Sequence, residues 1–493
     1  MKKTVTTALL LATALTACSS AAQPKPTPAA QKTAATGAIA WAPCTGLTRP
    51  DGKPLDDASL ECGKLPVPLD YGKPDGDKLD LALIRIKATG KSRLGSLVFN
   101  FGGPGGAGVS TLALVAKGLT GVNERYDLVS FDPRGVDLSA GVTCGDDMDK
   151  FLSADPADSE NEALAKEFVA ACAKDSAKIL PHVGTMNVAE DLDRIRIAVG
   201  DDKLNYLGMS YGTHLGGIYA TKYPKKVGRF VLDAGYDPTV TFKDRAVIQA
   251  KGFKHAFGNF AKDCVAQGCD LGDSPEAIAD TVNDLFAGLK GKPLKVGDRR
   301  LTEALARTGV MAALYSKFAW PDLAQGVAAA RKGDGEALLG IADTYTGRRP
   351  DGTYNTGMTS VWAINCVDSA ERVTDADVAD VEKATAAINP MMKSGGMGAL
   401  CRHWPVRAKT DEVKHVDATG SAPIVVVGAK GDPATPYEWA QNLTKQLKTG
   451  ILVTYEGEGH GSYLSGSPCV IKTLDTFLLE GTVPAAGSTC PAA

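Results

Sequence analysis

No internal stretch of this chain approaches the ~20 consecutive apolar residues that a membrane-spanning helix requires. Charge of one sign is not in excess either: 54 Lys and Arg face 57 Asp and Glu, for a net charge of −3. That balance leaves no basic footprint for a nucleic-acid partner. Histidine is scarce, with six in 493 residues, and no cysteine pair has zinc-finger spacing with matched histidines, so no metal site is assigned. There is no internal repeat, which excludes solenoids and propellers. What is there is ordinary globular material, 44% hydrophobic and 23% charged. Its length suits a large catalytic domain carrying an insertion.

The N-terminus is organised differently. Met1, Lys2 and Lys3 supply a positive end, Ala8 to Leu15 an apolar run, and Leu15-Thr16-Ala17-Cys18 a small-residue cleavage site. Ending that site on Cys18 resembles the bacterial lipobox, so residues 1–18 are expected to be a lipoprotein signal with Cys18 as the lipidated residue. The alternative is an ordinary secretory signal with an unrelated cysteine. Residues 19–40, rich in Ala, Pro, Thr and Lys, have almost nothing to bury and read as a flexible tether. Of the eleven cysteines, setting aside Cys18 leaves ten, an even number suited to five disulfides outside the reducing cytosol. Pairing neighbours along the chain would close five short to medium loops, although spacing leaves the connectivity open. The expectation is an exported protein whose membrane association runs through a lipid anchor alone.

Apolar runs at Leu81–Ile86, Ser96–Phe101, Tyr126–Phe131, Leu204–Leu207, Arg229–Leu232, Pro423–Val427 and Ile451–Tyr455 read as strands. Helical stretches lie between them, one opened by a capping box of Asn187 and Glu190 and running through Val199. Strands alternating with helices predict an α/β fold, a mostly parallel sheet covered on both faces. Between about Thr241 and Ser421 the alternation stops. Helices are predicted there at Arg245–Val265, Ser274–Leu289 and Trp320–Lys332, with a Gly/Asp/Tyr-rich patch at Asp343–Thr356. The chain thus divides into core residues 41–240, a helical lid at 241–421 and core residues 422–493.

Gly208-Met209-Ser210-Tyr211-Gly212 follows a short strand and opens a helix, which is the G-x-S-x-G nucleophile elbow in its strand–turn–helix setting. Serine needs a base held by a third group, and in this α/β-hydrolase arrangement the order is Ser, acid, His. Of His214, His255, His403, His415 and His460, only His460 follows the last predicted strand in a glycine-rich loop, so it is the candidate base. Asp432 ends the preceding strand and is the candidate acid, with Thr435 supporting its turn; Asp233, one strand earlier, is the rival. Asn100-Phe101-Gly102-Gly103-Pro104-Gly105-Gly106 follows another strand, and its glycines suit an oxyanion-binding loop. That role is assigned to the N–H groups of Gly103 and Tyr211. Gly103 to Gly108 also spells G-x-G-x-x-G, with Asp132 further on, as a dinucleotide site would. Pro104 removes an N–H that a pyrophosphate cradle would use, so that reading is set aside.

Taken together, these segments resemble the secreted tripeptidyl aminopeptidases and proline iminopeptidases of the α/β-hydrolase superfamily. The glycine run is similar to that family's His-Gly-Gly-Pro-Gly motif, with Phe101 where histidine usually stands. Phe131-Asp132-Pro133-Arg134-Gly135 is similar to its Asp-x-Arg-Gly segment, and the elbow, Gly431-Asp432-Pro433 and Gly459-His460-Gly461 complete a match over Trp41 to Cys490. The resemblance implies a serine exopeptidase that releases short peptides, expected to be tripeptides, from free N-termini through an acyl-enzyme and without a cofactor. Recognition of the substrate's α-ammonium calls for a carboxylate, and Asp368 is the candidate. Two other readings are an esterase or amidase with the same triad, and a non-catalytic binding lipoprotein.

Overall fold

A computed structural model describes residues 38–49, 52–154, 161–392, 397–408 and 410–493. The expected signal segment, Cys18 and the tether up to residue 37 lie outside the described residues. The described residues form twelve strands: β1 (Ala42–Pro43), β2 (Leu60–Pro68), β3 (Lys78–Ile86), β4 (Gly95–Asn100), β5 (Tyr126–Phe131), β6 (Leu204–Met209), β7 (Val227–Asp233), β8 (Leu294–Val296), β9 (Arg299–Leu301), β10 (Ile424–Gly431), β11 (Gly450–Glu458) and β12 (Ser488–Cys490). Ten form one sheet in the order β1-β2-β3-β5-β4-β6-β7-β10-β11-β12. Pairing is parallel from β5 through β12 and antiparallel at the β1-β2-β3 end and between β3 and β5. This is the α/β-hydrolase fold, with the crossover between β4 and β5 that places the elbow strand β6 beside β4.

Continuous apolar sequence is what central strands need when helices cover both faces. Every residue of β4 and β5 is buried. Alternate side chains feed two cores: Val98, Val129, Tyr206, Phe230 and Val426 enter one, while Leu97, Phe99, Leu128, Leu207, Val231 and Val425 enter the other. β2 escaped the sequence reading. It holds Gly63, Pro66 and Pro68 and is only partly buried, because it pairs antiparallel near the sheet edge, where prolines are tolerated.

Between β7 and β10 the described chain is helical but for the β8–β9 hairpin, which the sequence reading also missed. The main helices are Phe242–Gln267, Pro275–Leu289, Glu303–Ala313, Trp320–Arg331, Glu336–Thr346, Gly357–Asp368 and Asp375–Ile388. The helix predicted from Arg245 starts at Phe242 because the Thr241 side chain caps it, accepting from the Asp244 N–H, and it ends at left-handed Gly268. This region has its own core, with Phe257, Phe260, Phe286, Leu305, Trp320 and Leu323 among its members.

The capping box at Asn187 is a misreading. The helix spans Thr185–Ala198 with Gly184 at the cap. Asn187 instead donates to the His182 carbonyl, and the Glu190 carboxylate takes Lys222 and the Tyr223 hydroxyl. The cap is tertiary: Asp368, far along the chain, accepts from the Thr185 N–H at 2.8 Å and from its hydroxyl. Five disulfides join neighbours in sequence: Cys44–Cys62, Cys144–Cys172, Cys264–Cys269, Cys366–Cys401 and Cys469–Cys490. Among the described residues no helix is long and apolar enough to cross a membrane.

Candidate active site

β6 delivers Ser210 into a turn so tight that side chains on either side of it have no room. A Cβ at Gly208 would lie 2.3 Å from the Gly212 carbonyl oxygen, and one at Gly212 would lie 2.6 Å from that of Asn100. Ser210 itself adopts φ 55° and ψ −123°, a backbone state that non-glycine residues hold only where the surroundings enforce it. The enforcement is visible: the Ser210 N–H donates to the Asp233 carbonyl at 2.9 Å, and its carbonyl accepts from the N–H and hydroxyl of Thr213. The helix Tyr211–Lys222 begins at the next residue, so its N-terminal donors surround the serine.

His460 follows β11, and its Nδ1 lies 3.0 Å from both carboxylate oxygens of Asp432. Asp432 is held in turn: Oδ1 accepts from the N–H groups of Ala434 and Thr435 at 2.9 Å, and Oδ2 accepts from the Thr435 hydroxyl at 3.0 Å. Burial opposes a charge on His460, but the Asp432 carboxylate, through its charge and hydrogen bond, and the more distant Asp233 together raise the imidazole above the usual histidine range. Asp233 makes no hydrogen bond to the ring. It accepts from the N–H groups of Ser462 (3.0 and 2.8 Å) and Tyr463 (2.8 Å), fixing the turn that follows the histidine. Burial pushes its carboxyl up to about 6, against those N–H donors. The competition between the two acids is decided by geometry in favour of Asp432.

The loop after β4 presses on the elbow. Gly102 has φ 86°, and a Cβ there would fall 2.4 Å from the Met209 carbonyl oxygen. Its N–H is taken by the Asn100 side chain, whereas the N–H groups of Gly103 and Tyr211 have no hydrogen-bond partner among the described residues. The dinucleotide reading of this loop fails on packing. A Cβ at Gly105 would meet Gly357 and Val361 at under 3 Å, so the helix Gly357–Asp368 fills the space beside it. Asp132 accepts from the N–H groups of Val109 and Leu138.

Phe101, Gly103, Ser210, Tyr211, Thr435 and His460 line one cavity of about 340 Å³. Its far wall is built by the helical region: Phe242, Arg245, Gln249 and Phe253 from one helix, Tyr315 and Tyr345, and Asn365 and Asp368 from another. Asp368 is half-buried here, and desolvation pushes its carboxyl up to about 6 despite the bonds from Thr185. Thr185 passes the contact on, its hydroxyl lying 2.6 Å from that of Tyr211. A second carboxylate, Glu371, also reaches the cavity, bound to Lys414 at 2.9 Å and to the Phe242 N–H. His214 lines the wall as a packing residue: it is buried between Tyr211 and Tyr236, bonded to the Val413 carbonyl, and lowered to about 4 by burial. His255 is a surface residue near Asn259. Sequence reasoning missed Arg245, on an amphipathic helix, and Tyr315 and Glu371, in the connections that follow helices, because nothing local distinguishes them from other residues of such segments. No group of three or more His, Cys, Asp or Glu among the described residues is arranged to hold a metal.

Residues 387–490 match the family model described as TAP-like protein. The chain is 40% identical over 478 residues to serine protease Hip1 of Mycobacterium tuberculosis, covering 92% of this chain and 91% of that protein. It is 35% identical over 465 residues to a tripeptidyl aminopeptidase of Streptomyces lividans, covering 87% and 83%. Carboxylesterase B of Mycobacterium tuberculosis is 33% identical over 452 residues, covering 88% and 86%.

Proposed function

Since the chain belongs to the TAP-like family of α/β-hydrolase serine peptidases, we propose that it is an exported exopeptidase releasing short peptides, tripeptides foremost, from free N-termini, with Ser210, His460 and Asp432 as its triad. The observation that carries this reading is the His460 Nδ1 lying 3.0 Å from both Asp432 oxygens, in the same cavity as Ser210. With Nδ1–H committed to the carboxylate, Nε2 is left free to take the Ser210 proton as Oγ attacks the scissile carbonyl. The unpartnered N–H groups of Gly103 and Tyr211 stabilise the oxyanion, worth about 3 kcal/mol per donor in related sites. His460 then protonates the leaving amine and activates the water that hydrolyses the acyl-enzyme.

Export is supported by five disulfides, which belong to oxidising compartments, and by the lipobox-like Cys18, the proposed site of lipid attachment. Asp368 is the proposed anchor for the substrate's α-ammonium: it is a half-buried carboxylate on the cavity wall, and each oxygen keeps a lone pair beyond the one Thr185 uses. The helical wall, proposed as a lid over the strand ends, favours chain termini over internal loops.

A panel of tripeptide anilides with free or acetylated N-termini tests the reading. Acetylation removes the charge and leaves the carboxylate unmatched, so kcat/KM is expected to fall at least about a hundredfold, or ~2.7 kcal/mol. Equal cleavage of both, with simple esters preferred, would establish the esterase reading that the carboxylesterase relative favours. Failure of Ser210 to react with a fluorophosphonate would leave only a binding role.

A further inference from the structure

The cavity wall carries two cations, and they differ in one respect. Lys414 is neutralised by Glu371 at 2.9 Å. Arg245 has no carboxylate partner among the described residues: its Nη1 donates to two neutral acceptors, the Asn365 side-chain oxygen at 3.0 Å and the Tyr236 hydroxyl at 3.3 Å. A guanidinium has five N–H donors in a planar fork. Those on Nε and Nη2 have no protein partner among the described residues, and the side chain lines the cavity. Two neighbours hold it in place without neutralising it.

Its position relative to the chemistry follows from helix geometry. Phe242, Arg245, Gln249 and Phe253 recur at three- and four-residue spacing, so one face of the helix Phe242–Gln267 is turned to the cavity. Gln249, one turn after Arg245, donates to the Ala434 carbonyl at 2.9 Å, inside the turn that carries Asp432 and Thr435. On the opposite side, Asn365 precedes Asp368 by one turn of the helix Gly357–Asp368. Arg245 is thus connected to the Asp432 turn through Gln249 on its own helix, and through its bond to Asn365 to the helix that carries the carboxylate assigned to the α-ammonium. Asp368 directs both oxygens at Thr185 and so leaves the guanidinium unmatched.

We infer that Arg245 forms a carboxylate-binding subsite, selecting substrates that place a carboxylate beside the scissile bond: an acidic side chain in the released peptide, or the C-terminal carboxylate of a short substrate. The inference rests on the peptidase reading and adds a specificity determinant to it. Bidentate pairing of guanidinium with carboxylate is geometrically selective, and the neutral amide isostere forfeits the charge-assisted bond.

Matched peptides with free N-termini test it. One set is C-terminally amidated and carries Glu or Gln at each of the three positions before the scissile bond. A second has only neutral side chains and ends in a carboxylate or an amide. In the parent enzyme at least one pair is expected to favour the carboxylate by roughly tenfold in kcat/KM. Arg245→Gln should bring that ratio close to one, while Arg245→Lys, which keeps the charge but loses the fork, should retain part of it. The pair that responds identifies the source of the carboxylate. A ratio unchanged by Arg245→Gln, or no preference in any pair, overturns the inference. If no peptide in either set is cleaved, the peptidase reading fails instead. Calorimetric titration of the Ser210→Ala protein with the same pairs then decides the subsite independently, because equal affinities within every pair of both sets would overturn it without turnover.

Discussion

The ring of Tyr315 meets that of His460 edge to face, with centroids 5.4 Å apart and planes at 90°, while the Tyr315 carbonyl accepts the His460 backbone N–H at 2.8 Å. The helical region thus holds the histidine from above while Asp432 holds it from below. Tyr315 is in turn set by Phe253, at 5.7 Å between rings, and by the Tyr345 hydroxyl at 3.4 Å.

If this contact positions His460, Tyr315→Leu should lower kcat by roughly tenfold, since misplacing a catalytic group by about an ångström costs up to ~10². KM should change less than kcat, as the lost ring contact is to the base, while Tyr315 is one of many residues that line the cavity. Tyr315→Phe keeps the ring and the carbonyl and should behave like the parent. Steady-state kinetics of the three proteins check this; a loss confined to KM would assign Tyr315 to substrate binding.

Asp432→Asn should reduce kcat by about 10⁴, by analogy with the serine protease change in which the tautomer is lost. Asp233→Asn should cost far less, because Asp233 bonds the Ser462 and Tyr463 N–H groups and not the ring. The pH profile carries the sign. Both carboxylates raise His460, and activity requires the neutral imidazole, so the acid limb of kcat/KM in the parent should lie above about 6.5, the ordinary histidine value. Neutralising either acid should move that limb to lower pH. A limb that stays put in Asp432→Asn would contradict the assignment.

Burial places the Asp368 carboxyl at about 6. If it binds the α-ammonium, protonation below that pH removes the attractive charge, so KM for free tripeptides should rise as pH falls through 6. N-acetylated peptides and the Asp368→Asn enzyme should lack this dependence. Parallel KM profiles for free and blocked substrates would remove Asp368 from the amine site.

Arg134 is fully buried and bidentate to the equally buried Asp191, with both partners at 0% side-chain exposure and N–O distances of 2.7 Å. Its remaining donors go to the Pro68, Leu69 and His182 carbonyls, and Tyr71 bonds Asp191 at 2.6 Å. Asp191→Asn leaves a buried guanidinium uncompensated and should destabilise the fold by about 3–5 kcal/mol. Chemical denaturation measures this. Activity per folded molecule should be unchanged, as Asp191 does not line the cavity.

The amino-acid sequence by itself determined the sheet interior and the serine elbow. A short continuous apolar run such as Ile424–Val427 suits a strand buried on both faces, and it lies parallel between β7 and β11. The elbow is likewise local, because Ser210 needs glycines within two residues on either side, so a five-residue string specifies it. The disulfide partners were neighbours, and short loops made that pairing the simplest one, although spacing left it open. Tertiary structure decided what depends on approach between distant segments. Asp432 prevailed over Asp233 only because the turn after β10 brings its carboxylate to Nδ1, while Asp233, one strand away, reaches the following N–H groups instead. Asp368 caps a helix that begins far upstream of it, at Thr185, which no local capping rule detects. Arg245 is an ordinary residue of an amphipathic helix, and Tyr315 lies in the turn after the helix Glu303–Ala313. Both come to line the cavity because the helices between β7 and β10 pack against it, and that packing is set by long-range burial and not by local propensity.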